Sequence, residues 1–311
     1  MPALKTEILK ALIDKYISKV KEEAGEFNLM LSGGIDSSLL AAIGDPDRVF
    51  SVKLPYGPKY DEFDDIEKVV KHLGLEKKWV VISLDDSDIH NTMRKAVKAI
   101  GRPIPHFNIF PLYVLFEAVH KMGIKTIVSG DGPDESMCGY TRHLIMDYLY
   151  KIFDMEAFSE YRPLMSKILG DPIEVYSKII GKKPSEVMDV ARGCNLQYGM
   201  CATDMNLMRR DMDDMSDGLA KHFGINLYRP YQYEEIDNFM FSLPPEDKIH
   251  NVEFGKYLLR LLASEYLPAD IAWRKQKIGG PLVPMNKLLG IDEPEFSKNG
   301  YLKYQEGILN G

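Results

Sequence analysis

The amino-acid sequence predicts an α/β fold, a parallel twisted sheet with flanking helices followed by a mainly helical C-terminal half. Short apolar stretches typical of strands alternate with helical stretches between residues 27 and 130, and such alternation is typical of βαβ units around a parallel sheet. Beyond about residue 140 only helical patterns recur. A glycine-rich turn directly follows two of the strands, which places candidate ligand sites at one edge of the sheet.

The elements of the first half follow in order. Apolar residues at helical spacing predict an amphipathic helix over residues 4–23, which Gly25 ends. Short apolar runs beside turn signals predict strands at residues 27–34, 48–54, 79–84 and 125–130. Helices are predicted at residues 35–44, 61–74, 86–100 and 109–123. The second of these four has acidic residues at its start and a glycine at its end, as the helix dipole and capping favour.

The second half is predicted to be helical at residues 142–153, 173–180, 184–192, 202–223, 234–242 and 253–266. The tail from 291 to 311 is expected to be irregular and peripheral. At about 150 residues per domain, a chain of this length holds two domains or one large one. We therefore predict an N-terminal helix at 1–24, an α/β half at 25–150, a helical half at 151–290 that completes the site, and the tail.

Composition narrows the classes of function. The net charge is −7, which argues against nucleic acid as the main partner, because phosphate binding needs a surplus of Lys and Arg. Three cysteines are too few for a disulfide framework, and the spacing of Cys194 and Cys201 is not typical of zinc ligands, so these two are expected to be packed thiols. No apolar run approaches the ~18 residues that span a bilayer, and the charged N-terminus is not typical of a signal peptide. We expect a cytoplasmic protein with no membrane partner.

The first candidate site is the segment Ser32-Gly33-Gly34-Ile35-Asp36-Ser37-Ser38, between a predicted strand and a predicted helix. Glycines let the backbone approach an anion, the first helix amides point at it, and the three serines add hydroxyl donors. Asp36 beside a phosphate would be repulsive without a cation, so it indicates Mg²⁺. The segment lacks the lysine of a Walker A loop and the GxGxxG of dinucleotide sites. The alternative is a serine-capped helix start with a polar turn.

The second candidate site is the segment SGDGPDESMCGY at residues 129–140, again after a strand. Three carboxylates fall within five residues, at Asp131, Asp134 and Glu135. Confined carboxylates repel one another and need a metal, a basic partner or solvent. We interpret Asp134 as completing the Mg²⁺ site begun by Asp36. The alternative is an acidic surface turn.

Together these segments resemble a known family. SGGIDS resembles the SGGxDS loop of ATP pyrophosphatases, and SGDGPDESMCGY resembles the SGEGxDExFGGY segment of asparagine synthetases and β-lactam synthetases. The resemblance covers residues 25–290 and implies an adenine nucleotide alpha hydrolase-like fold that uses ATP and Mg²⁺. It implies that Asp36 and Asp134 bind Mg²⁺ and that Ser129 and Gly130 lie where ATP meets the second substrate. The residues implied to hold the ATP phosphates are Ser32, Gly33, Gly34, Asp36 and Ser37, beside which Ser38 is the further hydroxyl donor.

A third region carries basic residues. The basic residues are Arg274, Lys275 and Lys277, just before Gly279-Gly280. Lysines next to glycines are suitable for a loop that closes over a polyphosphate. This region resembles the family's K..LR…LP…R.K.G…P pattern, which implies Lys256 and Arg260 as basic members, with Lys256 on ATP. It implies Lys277 as the lysine that stabilises the leaving pyrophosphate, with Lys275 as the alternative from spacing. A solvated basic loop is the other interpretation.

Several positions depart from the family pattern. The motif has Asp131 for Glu, Pro133 for a small residue and Cys138 for the first of two glycines. Asn226 aligns with the glutamate that asparagine synthetases use with ammonia. Gly255, with Glu253 close by, falls where β-lactam synthetases have a glutamate. Because asparagine cannot take a proton, neither family's amine-activating set is present as written.

The resemblance implies an ATP-dependent carbon–nitrogen ligase. It would adenylate a carboxylate, with aspartate as the default, and transfer the acyl group to ammonia or an amine, releasing AMP and pyrophosphate. The ATP loop begins at residue 32, which leaves no room ahead of it for a glutaminase domain. We therefore expect nitrogen from free ammonia, another amine or a separate glutaminase chain; a homo-oligomer is compatible with the sequence. The alternatives are a tRNA-modifying ATP pyrophosphatase and a non-catalytic ATP-binding subunit.

Overall fold

A five-stranded parallel sheet is the central element of the protein. The computed structural model describes residues 2–55, 57, 62–84, 89–106, 108–155, 159–160, 163–164, 167, 170–187, 196–275 and 298–310. The strands are β1 (Asn28–Met30), β2 (Arg48–Lys53), β3 (Trp79–Ser83), β4 (Thr126–Val128) and β5 (Asn226–Tyr228), in the spatial order β3-β2-β1-β4-β5. All four pairings are parallel. The predicted fold class is confirmed, and the four predicted strands are all present.

The strand order has one functional consequence. From β1 the chain continues to β2 and β3 on one side, and then returns to place β4 and β5 on the other side. The order therefore reverses between β1 and β4, which are hydrogen-bonded neighbours. In open parallel sheets, ligands bind at the carboxyl ends of the two strands that flank such a reversal. The two glycine-rich segments predicted as sites are the loops that leave those two strand ends.

Fifteen helices accompany the strands among the described residues. They are α1 (Pro2–Ala24), α2 (Ile35–Gly44), α3 (Phe63–Leu73), α4 (Ile89–Ile100), α5 (Ile109–Lys121), α6 (Pro133–Ser136), α7 (Thr141–Asp154), α8 (Pro172–Ile179), α9 (Leu196–Met208), α10 (Asp214–Phe223), α11 (Glu234–Ser242), α12 (Pro245–Lys248), α13 (Tyr257–Ala263), α14 (Ala269–Ala272) and α15 (Lys298–Asn310). A short antiparallel hairpin joins β6 (Ile249–Asn251) to β7 (Phe254–Gly255). No helix in the described part of the chain is long and apolar enough to cross a membrane.

The chain forms two compact units, each built from separate stretches. The sheet unit consists of Ile13–Gly130, Asp211–Pro230 and Ala263–Gly311. The helical unit consists of Met1–Leu12, Asp131–Arg210 and Tyr231–Leu262. The predicted divisions at residues 24, 150 and 290 describe organisation along the sequence, and they stay predictions.

Each unit has its own core. In the sheet unit, Phe50 and Val52 of β2 pack with apolar residues of α4, α5 and α10. Because side chains alternate along a strand, Val49 and Ser51 point to the opposite face of the sheet. In the helical unit, one cluster surrounds Tyr176. A second joins Cys138, Leu144, Cys201 and Ile249.

Three predicted helices of the second half differ from the structure. The helix predicted at 253–266 begins only at Tyr257, because the preceding residues form β7. The helix predicted at 202–223 is two helices, α9 and α10, joined by a π-helical stretch over Arg209–Asp213. Of the helix predicted at 184–192, the described part is a 3₁₀ turn at Pro184–Glu186; residues 188–192 lie outside the described residues.

The prediction of an irregular C-terminal tail is wrong for residues 298–310, which form α15. Its Gln305 is fully buried. The side-chain carbonyl of Gln305 accepts a hydrogen bond from the Ile104 amide (2.7 Å), and its NH₂ donates to the Ile104 carbonyl (3.0 Å). Leu302 and Ile308 of the same helix pack against the core of the sheet unit. The helix therefore supplies hydrogen bonds and apolar contacts that an irregular tail would lack.

Candidate active site

The loop after β1 holds itself together through its serines. The Ser32 amide donates to Ser37 Oγ at 3.1 Å, and the two hydroxyl oxygens are also 3.1 Å apart. Gly34 is the N-cap of α2, and no side chain caps that helix end. A helix N-terminus without a side-chain cap is a typical place for a phosphate to bind.

Gly33 has a φ of +74°, in the left-handed region that favours glycine. A Cβ at this position would lie 3.0 Å from Ile66 Cγ1 and 3.2 Å from the Glu62 carbonyl oxygen. The loop backbone thus lies directly against the first turn of α3. Any larger residue would strain the turn and displace the loop from this helix.

Three polar residues of the loop are buried in the first turn of α2. Asp36 is 9% exposed, Ser37 is 4% exposed and Ser38 is fully buried. The Ser38 hydroxyl has no hydrogen-bond partner among the described residues. Buried polar groups nearly always have hydrogen-bond partners. The Ser38 hydroxyl is therefore an exception, and it lies beside the N-terminus of a helix.

The loop after β4 meets the loop after β1. The Ser129 amide donates to the Tyr228 carbonyl oxygen at 2.8 Å, which anchors the end of β4 to β5. A Cβ on the next residue, Gly130, would lie 2.9 Å from the Ser37 backbone nitrogen. Only a glycine allows this approach. The two predicted segments therefore touch within the sheet unit, at the strand reversal.

The carboxylate segment continues into the helical unit, where Asp134 lies in the short helix α6. Lys256 Nζ is 2.7 Å from Asp134 Oδ1, and the two side chains are 3% and 12% exposed. A Cβ at Gly139 would collide with both Asp134 Oδ1 and Lys256 Cε. Gly139 thus leaves room for a buried ion pair that the sequence interpretation did not anticipate.

The other two carboxylates of this segment differ in environment. Asp131 is exposed, whereas Glu135 is buried and accepts a hydrogen bond from the Tyr140 hydroxyl. Burial, with the nearby negative charges of Glu135 and Asp134, raises the pKa of Tyr140 well above its usual value. Tyr140 therefore stays protonated and acts as a hydrogen-bond donor to Glu135 at neutral pH.

The family departures also have structural explanations. Cys138 has a φ of +56°, so its backbone keeps the conformation that favours the glycine it replaces. A Cβ at Gly255 would collide with the Cys138 carbonyl oxygen, so position 255 has no room for a side chain. Asn226 is exposed and pairs with Thr126 at the amino ends of β5 and β4. In a parallel sheet that edge is opposite to the edge that carries the two loops.

Arg274, the first residue of the basic cluster in the third region, forms ion pairs with two carboxylates. Its guanidinium contacts Glu62 Oε1 at 2.5 Å and also Asp65. These residues open α3, the helix against which Gly33 packs, so Arg274 connects the third region to the wall of the first loop. Neighbouring Lys275 is exposed. In the sequence, the helix dipole alone accounts for the acidic residues at the start of α3. No sequence pattern therefore indicated that they would pair with Arg274.

The remaining predicted basic residues have separate positions. Lys277 lies outside the described residues. Arg260 belongs to the helical unit, and its Nε donates to the Gly255 carbonyl at 2.8 Å. Asp36 lies in the sheet unit and Asp134 in the helical unit. Their shared metal site stays a prediction.

Comparison with known proteins identifies relatives of this chain. A family model described as asparagine synthase matches residues 9–293. The glutamine-hydrolyzing asparagine synthetase B of Escherichia coli K12 is 23% identical over 301 residues, which cover 88% of this chain and 44% of the relative. A putative glutamine-hydrolyzing asparagine synthetase 1 of Methanocaldococcus jannaschii is 24% identical over 288 residues, which cover 88% of this chain and 47% of the relative. The chain thus spans less than half the length of these curated relatives.

Among solved structures, an NMN synthetase from Francisella tularensis aligns with 68% of this chain and 95% of its own. The TM-score is 0.32 and the sequence identity is 13%. This similarity is too low to support an argument. The fold assignment therefore depends on the parallel strand order, and the family assignment on the match over residues 9–293.

Proposed function

Because this chain belongs to the asparagine synthase family, we propose that it is an ATP-dependent ligase that forms an amide. The carboxylate of an acid, with aspartate as the default, attacks the α-phosphorus of ATP and releases pyrophosphate. Ammonia or an amine then attacks the carbonyl carbon of the acyl-adenylate, and AMP leaves. Catalysis of this kind depends mainly on positioning and on charge stabilisation.

One observation carries the proposal. The two predicted loops leave β1 and β4, the neighbouring strands at which the sheet order reverses, and Gly130 lies against the Ser37 backbone. The first of these loops runs into the N-terminus of α2, which no side chain caps, and it carries the buried hydroxyls of Ser37 and Ser38. This combination suits the triphosphate of a nucleotide. We assign Ser32, Gly33, Gly34, Ser37 and Ser38 to the phosphates.

We assign Ser129 and Gly130 to the boundary between ATP and the carboxylate substrate. Their place at the carboxyl end of β4 supports this assignment, because ligands of open parallel sheets bind at the point where the strand order reverses. We assign the Ser129 hydroxyl to the ligand.

The acidic residues of these loops are of the type that binds Mg²⁺. Asp36 is a buried carboxylate next to the proposed phosphate site, and carboxylates together with phosphate oxygens are usual Mg²⁺ ligands. Asp134 is paired with Lys256, and a partner of opposite charge offsets part of the cost of burying a carboxylate. We propose that Asp36 and Asp134 hold Mg²⁺, which would offset charge on the leaving pyrophosphate, and that Lys256 contributes to ATP binding.

Lys277 is our candidate for the catalytic lysine that stabilises the departing pyrophosphate, with Lys275 as the alternative. Support comes from Arg274, which is fixed by Glu62 and Asp65 beside the helix that backs Gly33. Lys277 is three positions along the sequence from this anchor.

The amine half of the reaction needs a different proton acceptor from those of the related enzymes. Position 255 has no room for a side chain, and Asn226 lies at the amino edge of the sheet. These two findings also favour a second candidate function, an ATP-binding subunit that does not form amides. The two candidates differ in whether pyrophosphate is released in response to a carboxylic acid.

The test is ATP–pyrophosphate exchange with the full chain, Mg²⁺ and a panel of carboxylic acids headed by aspartate, followed by hydroxylamine trapping of the acyl-adenylate. We expect exchange and a hydroxamate with at least one acid. Exchange with another acid but not with aspartate would keep the ligase and reject the default substrate. ATP binding without exchange across the whole panel would reject the ligase and support the binding subunit.

A further inference from the structure

Three side chains of metal-binding type lie together in the helical unit, apart from the residues assigned to ATP. Cys138 Sγ and Cys201 Sγ are 3.4 Å apart, and a ring nitrogen of His143 lies within 4.8 Å of both sulfur atoms. All three side chains are fully buried. They come from the turn after α6, from α7 and from α9, so no short sequence motif reveals them.

The hydrogen bonds of His143 orient its ring for a ligand role. Nε2 is 2.8 Å from Asp204 Oδ2 and 2.9 Å from the Tyr176 hydroxyl. A ring nitrogen next to a carboxylate carries the proton, so we infer the tautomer with Nε2–H. Nδ1 then has a free lone pair, and this buried atom has no hydrogen-bond partner among the described residues. Histidine ligands of metals typically donate their other N–H to a carboxylate in this way.

The backbone at Cys138 points to a role for its thiol. A non-glycine residue at φ +56° is strained, and a glycine would adopt this conformation freely. The side chain is packed with Leu144, Cys201 and Ile249 in an apolar cluster. The buried ammonium of Lys248 acts on both thiols and favours their thiolate forms, which are the forms that bind a metal.

We propose that Cys138 Sγ, Cys201 Sγ and His143 Nδ1 bind a transition-metal ion of borderline softness, with Zn²⁺ as the chemical best fit. Two thiolates and a neutral imidazole balance a divalent charge, and the two thiol protons leave to solvent on binding. With Zn–S bonds of about 2.3 Å, two sulfurs of a tetrahedral site lie about 3.8 Å apart. The observed 3.4 Å between the two hydrogen-bonded thiols is within about 0.4 Å of that spacing, so small shifts of the side chains would admit the ion.

The site would fix the turn that carries Asp134. The Gly139 amide donates to the Asp134 carbonyl at 2.9 Å, and the Lys256 amide donates to the Met137 carbonyl at 2.9 Å. Cys138 lies between these two backbone contacts. A metal at Cys138 would therefore hold the Asp134–Lys256 pair in place as a structural element. This inference depends only on contacts inside the helical unit, and it stands whether or not the proposed ligase reaction is correct.

The test uses the full chain purified under reducing conditions without a metal-affinity tag. After dialysis against a chelator, it is titrated with Zn²⁺ and separately with Co²⁺. We expect about one metal per chain by elemental analysis, a thiolate-to-cobalt charge-transfer band, and a Tm that rises by about 5 °C or more with Zn²⁺.

Cys138→Gly is the decisive variant, because glycine suits φ +56° and the variant should fold. We expect it to keep the native circular dichroism spectrum and to lose the cobalt band and the Zn²⁺-dependent rise in Tm. Cys201→Ala should lose both as well, whereas His90→Gln, which changes an exposed histidine outside the cluster, should keep both.

Three results would overturn the proposal. The first is a wild-type protein that takes up neither metal under reducing conditions. The second is unchanged cobalt spectra in folded Cys138→Gly. The third is a Cys138–Cys201 disulfide, seen by mass spectrometry of the denatured, unreduced protein as the loss of two hydrogens together with failure of both thiols to alkylate.

Discussion

Gly130 lies so close to Ser37 that a Cβ on the glycine would sit 2.9 Å from the serine backbone nitrogen. This contact joins the loop after β4 to the first turn of α2, and no side chain takes part in it. The two segments with the strongest sequence signals thus meet through their backbones. The geometry of the proposed ATP site depends on that approach.

Gly130→Ala should therefore separate the two loops. We expect it to lower the rate of ATP–pyrophosphate exchange by about 10-fold or more and to destabilise the fold by roughly 1–3 kcal/mol, the usual range for overpacking. Exchange assays and urea unfolding measure the two effects. Gly218→Ala is the matched control, because its Cβ would meet nothing within 4 Å and it lies inside α10. The control should be neutral or slightly stabilising. Full activity in Gly130→Ala would show that the loops need not touch.

Asp36→Asn tests the proposed magnesium ligand. Because the amide binds Mg²⁺ weakly and cannot offset its charge, we expect exchange to fall roughly 100-fold or more, as when one charge-stabilising group is removed. Raising the Mg²⁺ concentration should recover part of the loss. Asp45→Asn, just beyond the other end of α2, changes an exposed carboxylate that pairs with Lys78 and should keep wild-type exchange. Equal rates in the two variants would remove Asp36 from the metal site.

The buried pair of Asp134 and Lys256 should be strongly coupled. Lys256→Met removes the charge partner of a buried carboxylate, and breaking a buried pair on one side costs about 3–5 kcal/mol. The double variant Lys256→Met/Asp134→Asn removes both charges and should unfold at a denaturant concentration closer to that of the wild type. Urea midpoints of the wild type, Lys256→Met, Asp134→Asn and the double variant form a double-mutant cycle. Additive effects would mean that the 2.7 Å contact does not contribute to stability.

Arg274→Gln tests the anchor between the third region and α3. Burial alone would raise the pKa of Asp65, but hydrogen bonds from Lys68 and Arg274 outweigh it and lower the pKa below its usual 3.8. A lowered pKa in the folded state stabilises the fold above pH 3.8, and that contribution is lost as pH falls through the folded value. Wild-type stability should therefore decline below about pH 4. Arg274→Gln should be less stable at pH 7 and show a shallower decline, both measured by urea unfolding. An unchanged pH profile would contradict the pairing.

Gln305→Leu tests how α15 is attached. The substitution leaves the Ile104 amide and carbonyl without their buried partners, and an unsatisfied buried group costs about 1–3 kcal/mol. We expect a loss of that order in urea unfolding. Glu306→Gln changes the next residue, which is exposed, and should cause no measurable change. A neutral Gln305→Leu would show that these two hydrogen bonds do not contribute to stability.

The sequence by itself determined the local structure and the type of chemistry. The bounds of α2 were predicted correctly at 35–44, and the SGGIDSS loop was identified before any contact was known. Both depend on short-range rules of helix period, capping and turn residues, which act within a few positions. The strand β5 was not predicted, because it lies at the edge of the sheet, its residues are exposed or half-buried, and no glycine turn follows it. The C-terminal tail was mispredicted, because the partner of Gln305 is 201 positions away.

Only the tertiary structure decided which of these segments meet. It placed β4 beside β1, brought Gly130 to Ser37, gave Asp134 its partner Lys256, and paired Arg274 with Glu62 and Asp65. It also brought Cys138 and Cys201 together, although they are 63 positions apart. Each of these contacts joins residues distant along the chain, and the free energy of such a contact depends on burial and geometry that exist only once the cores have packed.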